Sequence, residues 1–310
     1  MAVYYNTDEL TAFSNAVITI GTFDGVHLGH HTILQQVVSH AKELGGESIV
    51  LTFEPHPRKL LFPDQPVKII TPLEEKIKLI NNAGIDHVFV VPFTKEFASL
   101  SAEAYIKDFL VKYLHPKGIV IGYDHQFGHD RTGDIRLLET LKFESGFEVY
   151  EIPAKQIEDA AVSSTKIRNA LGNGNINEAN QMLGRQYSLK GNVISGSQIG
   201  RTIGFPTANI KPLDSEQITP GNGVYAVKAI VDNAPYNGMM NIGIRPTVSN
   251  ELSLHLEAHL FDFNQDIYNK EIEIIFIARL RDEQRFSSLN TLKGQLAIDA
   301  INARQVLGVL

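Results

Sequence analysis

At 310 residues the chain is long enough for one large domain or two ordinary ones, and a hydrophobic fraction of 43% allows a sizeable core. It contains no cysteine, which excludes a disulfide scaffold, thiolate metal sites and a cysteine nucleophile. The net charge is −7, with 16 basic and 23 acidic residues in 1–184 and 12 of each in 185–310, so neither part carries the basic surface that nucleic acid requires.

The opening MAVYYNTDEL lacks the basic region and apolar stretch of a signal peptide. No run is long enough to span a membrane. The expectation is a cytoplasmic protein with small-molecule ligands, no nucleic acid or membrane partner, and a monomeric or weakly homo-oligomeric state.

AVITIG, residues 16–21, reads as a buried strand, and HLGHHTILQQVVSHAKEL after it spaces Ile33, Leu34, Val37, Val38 and Ala41 as one helical face. SIVLTF is the next strand. TPLEEKIKLINNAG is a helix opened by Thr71 and Pro72 and closed near Gly84. HVFVVPF predicts a strand, SAEAYIKDFLVKYL a helix and GIVIG a strand. Such alternation implies right-handed crossovers and a parallel sheet covered on both faces, with ligands beyond the carboxyl ends of its strands. From about residue 188 the strands shorten and glycine-rich turns separate them, as in LKGNVISG, GVYAVKAIV, GMMNIG, LSLHLEAHLF and KEIEIIFIARL. This texture predicts an antiparallel barrel or sandwich. One amphipathic helix, SLNTLKGQLAIDAINARQVL, closes it. The division falls near residues 183–187, giving domains 1–184 and 185–310.

In GTFDGVHLGHH, residues 21–31, Gly21 and Gly25 allow a tight turn at a strand end, and Gly29 leaves room against the first helical turn. A helix N-terminus offers free N–H groups and the positive end of its dipole, which suits phosphate. His27 and His30, three apart, can share one face of that turn. A glycine turn followed by surface histidines is the plainer alternative. In AVSSTKIRNAL, residues 161–171, Ser163, Ser164 and Thr165 precede a helical pattern, with Lys166 and Arg168 in its first turn. Basic residues there oppose the dipole unless an anion is bound, although an ordinary N-cap is also compatible. GYDHQFGHDRTGD, residues 122–134, and TFEPHPRKLL, residues 52–61, both follow strands, where an open α/β sheet places its ligand.

In the second half, GRTIGFPTANI, residues 200–210, has Gly200 and Gly204 bracketing a loop. Pro206 fixes the chain before Thr207 and Asn209, whose side chains face one way in an extended segment and are hard oxygen donors suited to nucleotide-borne Mg²⁺. LSLHLEAHLFDF alternates, with Leu252, Leu254, Leu256, Ala258 and Leu260 on one face and Ser253, His255, Glu257 and His259 on the other. Glu257 on the polar face is a candidate proton acceptor, although a solvated glutamate on an edge strand is the plainer alternative.

GTFDGVHLGH resembles the HxGH signature of the nucleotidyltransferase superfamily, in the form of the prokaryotic bifunctional riboflavin kinase/FAD synthetase family. GRTIGFPTANI and the LEAH of 256–259 resemble its riboflavin kinase segments. The resemblance implies an α/β nucleotidyltransferase with a Rossmann-like parallel sheet, then an antiparallel β-barrel riboflavin kinase domain with a C-terminal helix. It implies ATP, riboflavin and FMN as substrates, with Mg²⁺. The first domain would transfer AMP from ATP to FMN, with His27 and His30 on the ATP phosphates. Gly21, Phe23, Asp24, Gly29, Asp124, Ser164, Thr165 and Arg168 would line that nucleotide, and His56 and Phe127 would lie on the flavin side. The family usually has arginine where Lys166 stands, and its loop at 123–126 differs from the residues here. In the second domain, Glu257 would be the base, Thr207 and Asn209 would ligate the metal, and Gly200 and Gly204 would cradle phosphate. MNIGIRPTV, residues 240–248, and RDEQRF, residues 281–286, resemble segments bordering the flavin, implying contacts from Asn241, Arg245, Arg285 and Phe286. A nucleotidyltransferase of another phosphorylated metabolite and a non-catalytic flavin sensor are the competing readings. The PTAN stretch opposes the first; the intact HxGH and Glu257 oppose the second.

Overall fold

The computed structural model describes residues 1–123, 125–153, 162–196, 199–246 and 252–309. It divides into two compact units, Met1–Ser164 and Thr165–Leu310.

The first unit is built on β1 (Ala2–Tyr4), β2 (Val17–Ile20), β3 (Ser48–Glu54), β4 (His87–Pro92), β5 (Gly118–Gly122) and β6 (Glu148–Ile152). All pair in parallel, in the order β1-β4-β3-β2-β5-β6. Alternation along β2 sends Ile18 and Ile20 to one face and Val17 to the other. Two helices, α1 (Leu28–Glu43) and, beyond the short α2 (Pro57–Leu61), α3 (Leu73–Asn82), cover the Val17 face with Leu34, Val37, Ala41 and Ile80. The opposite face is covered by α4 (Lys95–Ala98), α5 (Ala102–Ala104), a π-helical stretch (Tyr105–Val111), α6 (Lys112–Leu114) and α7 (Ile135–Ser145). Burial on both faces explains why the central strands are continuous apolar runs. The chain winds outward from β2 through β3 and β4, then returns to β5 on the other side, so the switch point lies between the carboxyl ends of β2 and β5.

The second unit starts with two helices, α8 (Ser164–Gly172, whose first residue belongs to the first unit) and α9 (Ile176–Leu183). Both are tied to the barrel that follows. Gly221 N–H donates to the Leu171 carbonyl at 2.9 Å, and the Asn180 amide donates to the Phe276 carbonyl at 3.0 Å. The barrel comprises β7 (Tyr187–Ile194), β8 (Ala208–Pro212), β9 (Gly223–Val231), β10 (Ala234–Pro246), β11 (Leu252–Leu260) and β12 (Glu271–Arg281), with a short α10 (Ile199–Thr202) before β8. It closes in the order β10-β11-β8-β7-β12-β9, every pair antiparallel, so a barrel and not a sandwich is formed. Its interior takes Leu256, Ala258, Met240, Ile242, Ile274 and Phe276. The closing helix α11 (Leu289–Leu307) is capped by Ser288 and packs Ala303 outside the barrel with Ala226, Met239 and Phe261.

Leu254 keeps the face of Leu256, Ala258 and Leu260 but is 46% exposed there, paired with Ile244, 45% exposed. β9 follows β10 only to Ile242, and β8 follows β11 only at Glu257 and Ala258, so this end of the hairpin projects past the barrel.

Candidate active sites

The first site is at the carboxyl end of β2. The chain turns sharply there, with positive φ at Phe23, Gly25 and Val26. Asp24 holds the turn. Its buried carboxylate accepts the backbone N–H groups of Ile70 at 2.9 Å and Thr71 at 3.1 Å. Asp24 therefore supports the loop with both oxygens turned inward, and the Phe23 ring is buried, edge-on to His30 at 5.1 Å. Ser164 Oγ donates to the Asp24 carbonyl at 2.8 Å, which brings Ser164 to this turn. Thr165 and Arg168 follow on α8, within the second unit.

His27 caps α1. Its Nδ1 accepts the His30 N–H at 3.3 Å, so in the neutral ring the proton resides on Nε2. The His27 and His30 rings stack at 3.6 Å and 15°. The spacing of three thus yields one imidazole face beside the open N-terminus of α1, a donor array for phosphate oxygens.

Lys76 was not singled out from sequence. Its side chain is only 5% exposed, and Nζ donates to Thr52 Oγ1 at 3.4 Å, while Thr52 donates to the Thr22 carbonyl at 3.1 Å. Burial pushes this ammonium below its usual range, and the charges of Asp24 and Glu54 oppose that shift. The signal was available: Lys76 shares a helix face with Leu73, Ile77 and Ile80.

Of the remaining residues assigned to this site, Asp124 lies outside the described residues. Phe127 is packed in the core against Tyr105 at 5.5 Å. His56 is buried and caps α2, its Nδ1 accepting the Arg58 N–H at 3.2 Å.

The second site forms on the outside of the barrel. Glu257 on β11 is paired with Asn209 on β8 and with Asn241 on β10, so these three side chains project from one row. Their neighbours Leu256 and Ala258 are buried inside, whereas Glu257 and Asn241 are half-buried. Gly196 is pressed against this row: a Cβ there would fall 2.0 Å from Asn209 Nδ2. The loop before β8 is closed by Phe205 N–H donating to the Gly200 carbonyl at 2.8 Å, with Gly204 at φ 89°. His259, two residues beyond Glu257 on the same face, donates from Nδ1 to the Pro206 carbonyl at 2.8 Å. Burial lowers the His259 pKa, the Pro206 hydrogen bond opposes this, and the nearby Arg304 charge adds to the lowering.

Thr207, Pro206 and Ala208 line a cavity of about 420 Å³ completed by Arg201 and the segment Phe263–Tyr268, with Ala258 and Leu260 as its floor, so that it opens on the face of β11 opposite Glu257. Its size is that of a small-molecule pocket. Arg201 and this segment were missed from sequence, although Arg201 stands inside the GRTIGFPTAN stretch. Phe286 lies under the Arg281 guanidinium, 5.8 Å from ring centroid to Cζ, and Arg285 is exposed. Of Arg245 only the backbone is described, on β10.

A parallel sheet that turns a donor-rich helix start toward phosphate, followed by a barrel that sets a carboxylate among oxygen donors, is the build of a two-centre phosphate-transferring enzyme. The family model for FAD synthetase matches residues 10–166, and that for riboflavin kinase matches residues 183–307. The chain is 40% identical over 294 residues to the bifunctional riboflavin kinase/FMN adenylyltransferase of Escherichia coli, spanning 94% of this chain and 93% of that one. It is 39% identical over 300 residues to the protein of the same name from Listeria monocytogenes, spanning 96% and 94%. A crystal structure from Streptococcus pneumoniae, described as a macrolide-efflux protein, superposes with a TM-score of 0.86 at 32% identity and covers 96% of each chain. Among the described residues no helix is long and apolar enough to cross a membrane. The chain belongs to the bifunctional riboflavin kinase/FMN adenylyltransferase family.

Proposed function

We propose that the barrel phosphorylates riboflavin to FMN and that the parallel-sheet domain then adenylylates FMN to FAD, both from ATP. The observation that carries the kinase assignment of residues is the pairing of Glu257 with Asn209 across β11 and β8. The ribityl 5′ oxygen bonds to the γ-phosphorus while the bond to the β–γ bridging oxygen breaks and ADP leaves. Glu257 accepts the hydroxyl proton and passes it to solvent. The cavity beside Thr207 takes the nucleotide, with Arg201 on its phosphates, and Asn241 borders the flavin.

Thr207 and Asn209 fit Mg²⁺ that arrives on ATP. They are neutral oxygen donors beside one carboxylate, and among the described residues no cluster of three or more His, Asp or Glu forms an all-protein cage. When bound, the ion neutralises phosphate charge as transfer proceeds.

In the first domain an FMN phosphate oxygen attacks the α-phosphorus of ATP and pyrophosphate leaves. No proton has to be removed from the nucleophile, so catalysis is positioning and charge neutralisation. His27 Nε2–H, the His30 ring and the start of α1 supply the donors, and Ser164 closes the turn from behind. The absence of cysteine and the excess of acidic residues support a cytoplasmic setting with small-molecule ligands.

A time course with riboflavin, ATP and Mg²⁺, with the flavins separated by chromatography, tests both assignments. FMN should appear and decline as FAD accumulates. Glu257→Gln should stop FMN formation and leave FAD formation from supplied FMN intact. Full kinase activity in that variant removes Glu257 as the base.

A further inference from the structure

The ladder between β8 and β11 is only two pairs long, Asn209 with Glu257 and Ala208 with Ala258. Thr207 lies just past its end. Continuing the ladder would bring the chain at Thr207 and Pro206 alongside His259 and Leu260, but proline has no N–H to pair. The tether there is a side chain. His259 Nδ1–H is held on the Pro206 carbonyl at 2.8 Å. The imidazole is itself wedged edge-on between Phe205 at 5.3 Å and Phe261 at 5.7 Å, and Phe205 and Phe261 share the apolar cluster packed under α11. A carbonyl oxygen can only accept, so the ring nitrogen facing it, Nδ1, carries the proton.

We propose that His259 is a positioning residue of the kinase centre, holding the Pro206 carbonyl so that Thr207 keeps its place beside Asn209 and Glu257. Base and tether lie on the same face of one strand, two residues and about 7 Å apart. The register of β11 therefore sets the distance between the proton acceptor and the oxygen donors of the neighbouring strand. Without the tether, Pro206 and Thr207 swing outward while Asn209 stays in the ladder. Catalysis, and affinity for Mg²⁺ with ATP, then fall together. This rests on the kinase reading above.

The test compares His259→Leu, His259→Asn and His259→Gln in the full chain. The asparagine amide nitrogen falls near the position of Nδ1, whereas that of glutamine falls near Nε2. His259→Leu is expected to lower kcat for FMN formation by about 100-fold, the scale of an ångström-level misplacement. It should also raise the Mg²⁺ concentration needed for half-maximal rate, with KM for riboflavin within about threefold. His259→Asn should recover most of the activity and His259→Gln little of it. FAD formation from supplied FMN is the internal control and should not change. If the leucine variant fails to fold, the asparagine and glutamine pair decides, because the two differ in reach and not in chemistry. Equal activity of those two, or an unchanged Mg²⁺ requirement in an impaired variant, overturns the proposal. A wild-type chain that makes no FMN overturns the kinase reading itself, whereas an active wild type with an unaffected leucine variant overturns only the role of His259.

Discussion

Asp299 on α11 is 1% exposed and accepts from Arg281 through Nε at 2.9 and 3.1 Å and through Nη2 at 2.7 Å, with Gln295 Nε2 adding a donor at 2.9 Å. Arg281 stands on β12, its side chain 16% exposed, so the pair pins the closing helix to the barrel wall. Asp299→Ala leaves the guanidinium in place without its counter-charge. Breaking such a pair by removing one partner costs about 3–5 kcal/mol. Arg281 keeps a hydrogen bond to the Asp282 carbonyl at 2.8 Å and its contact with Phe286, which favours the lower end. For a unit the size of Thr165–Leu310, ~3 kcal/mol corresponds to a fall of about 9 °C in its midpoint. The assay is residual activity after graded heating, read separately as FMN from riboflavin and as FAD from supplied FMN. The first curve should move down by that amount and the second should stay. Combining Asp299→Leu with Arg281→Met should restore most of the loss, because no unpaired charge remains. A shift of the kinase curve below about 2 °C in Asp299→Ala, outside the range for a broken buried pair, would refute the reasoning.

Gly196→Ala should separate function from stability. The atoms it meets belong to the Asn209 side chain, which can rotate away at a cost below about 1 kcal/mol, yet FMN formation should fall at least about tenfold because Asn209 leaves the row. Steady-state kinetics with thermal melting checks this. Asp24→Ala leaves the Ile70 and Thr71 N–H groups buried without an acceptor, at about 1–3 kcal/mol each, so heat-inactivation of FAD formation should move to lower temperature while FMN formation is spared. His259 introduces a pH dependence. Its folded-state pKa is below the ordinary 6.5, so the unfolded chain binds the proton more readily. The contribution to barrel stability is complete above pH 6.5 and is lost as pH falls through the folded-state value. Denaturant midpoints of the barrel between pH 5 and 7.5 should show less acid loss in His259→Asn than in wild type; parallel curves would remove His259 as a source.

The order of strands and helices in the first unit was legible because each central element is written in short-range periodicity. Apolar runs mark β2 to β5, and the spacing of Leu34, Val37 and Ala41 marks the buried side of α1. The stacking of His27 on His30 follows from a spacing of three on a helix turn, which is equally local. The edge strands β1 and β6 were not legible. β6 alternates poorly, with Glu148 and Glu151 exposed, and is a strand because β5 offers it a partner. The same holds for the chemistry. Thr207, Asn209 and Glu257 were named from their stretches, but that Glu257 stands opposite Asn209 depends on the register of a closed barrel. His259 with Pro206 and Arg281 with Asp299 are likewise contacts across strands and helices. Periodicity within about four residues determines what each segment is. Which segments face each other depends on closing long loops around a shared core, and no local pattern encodes that distance.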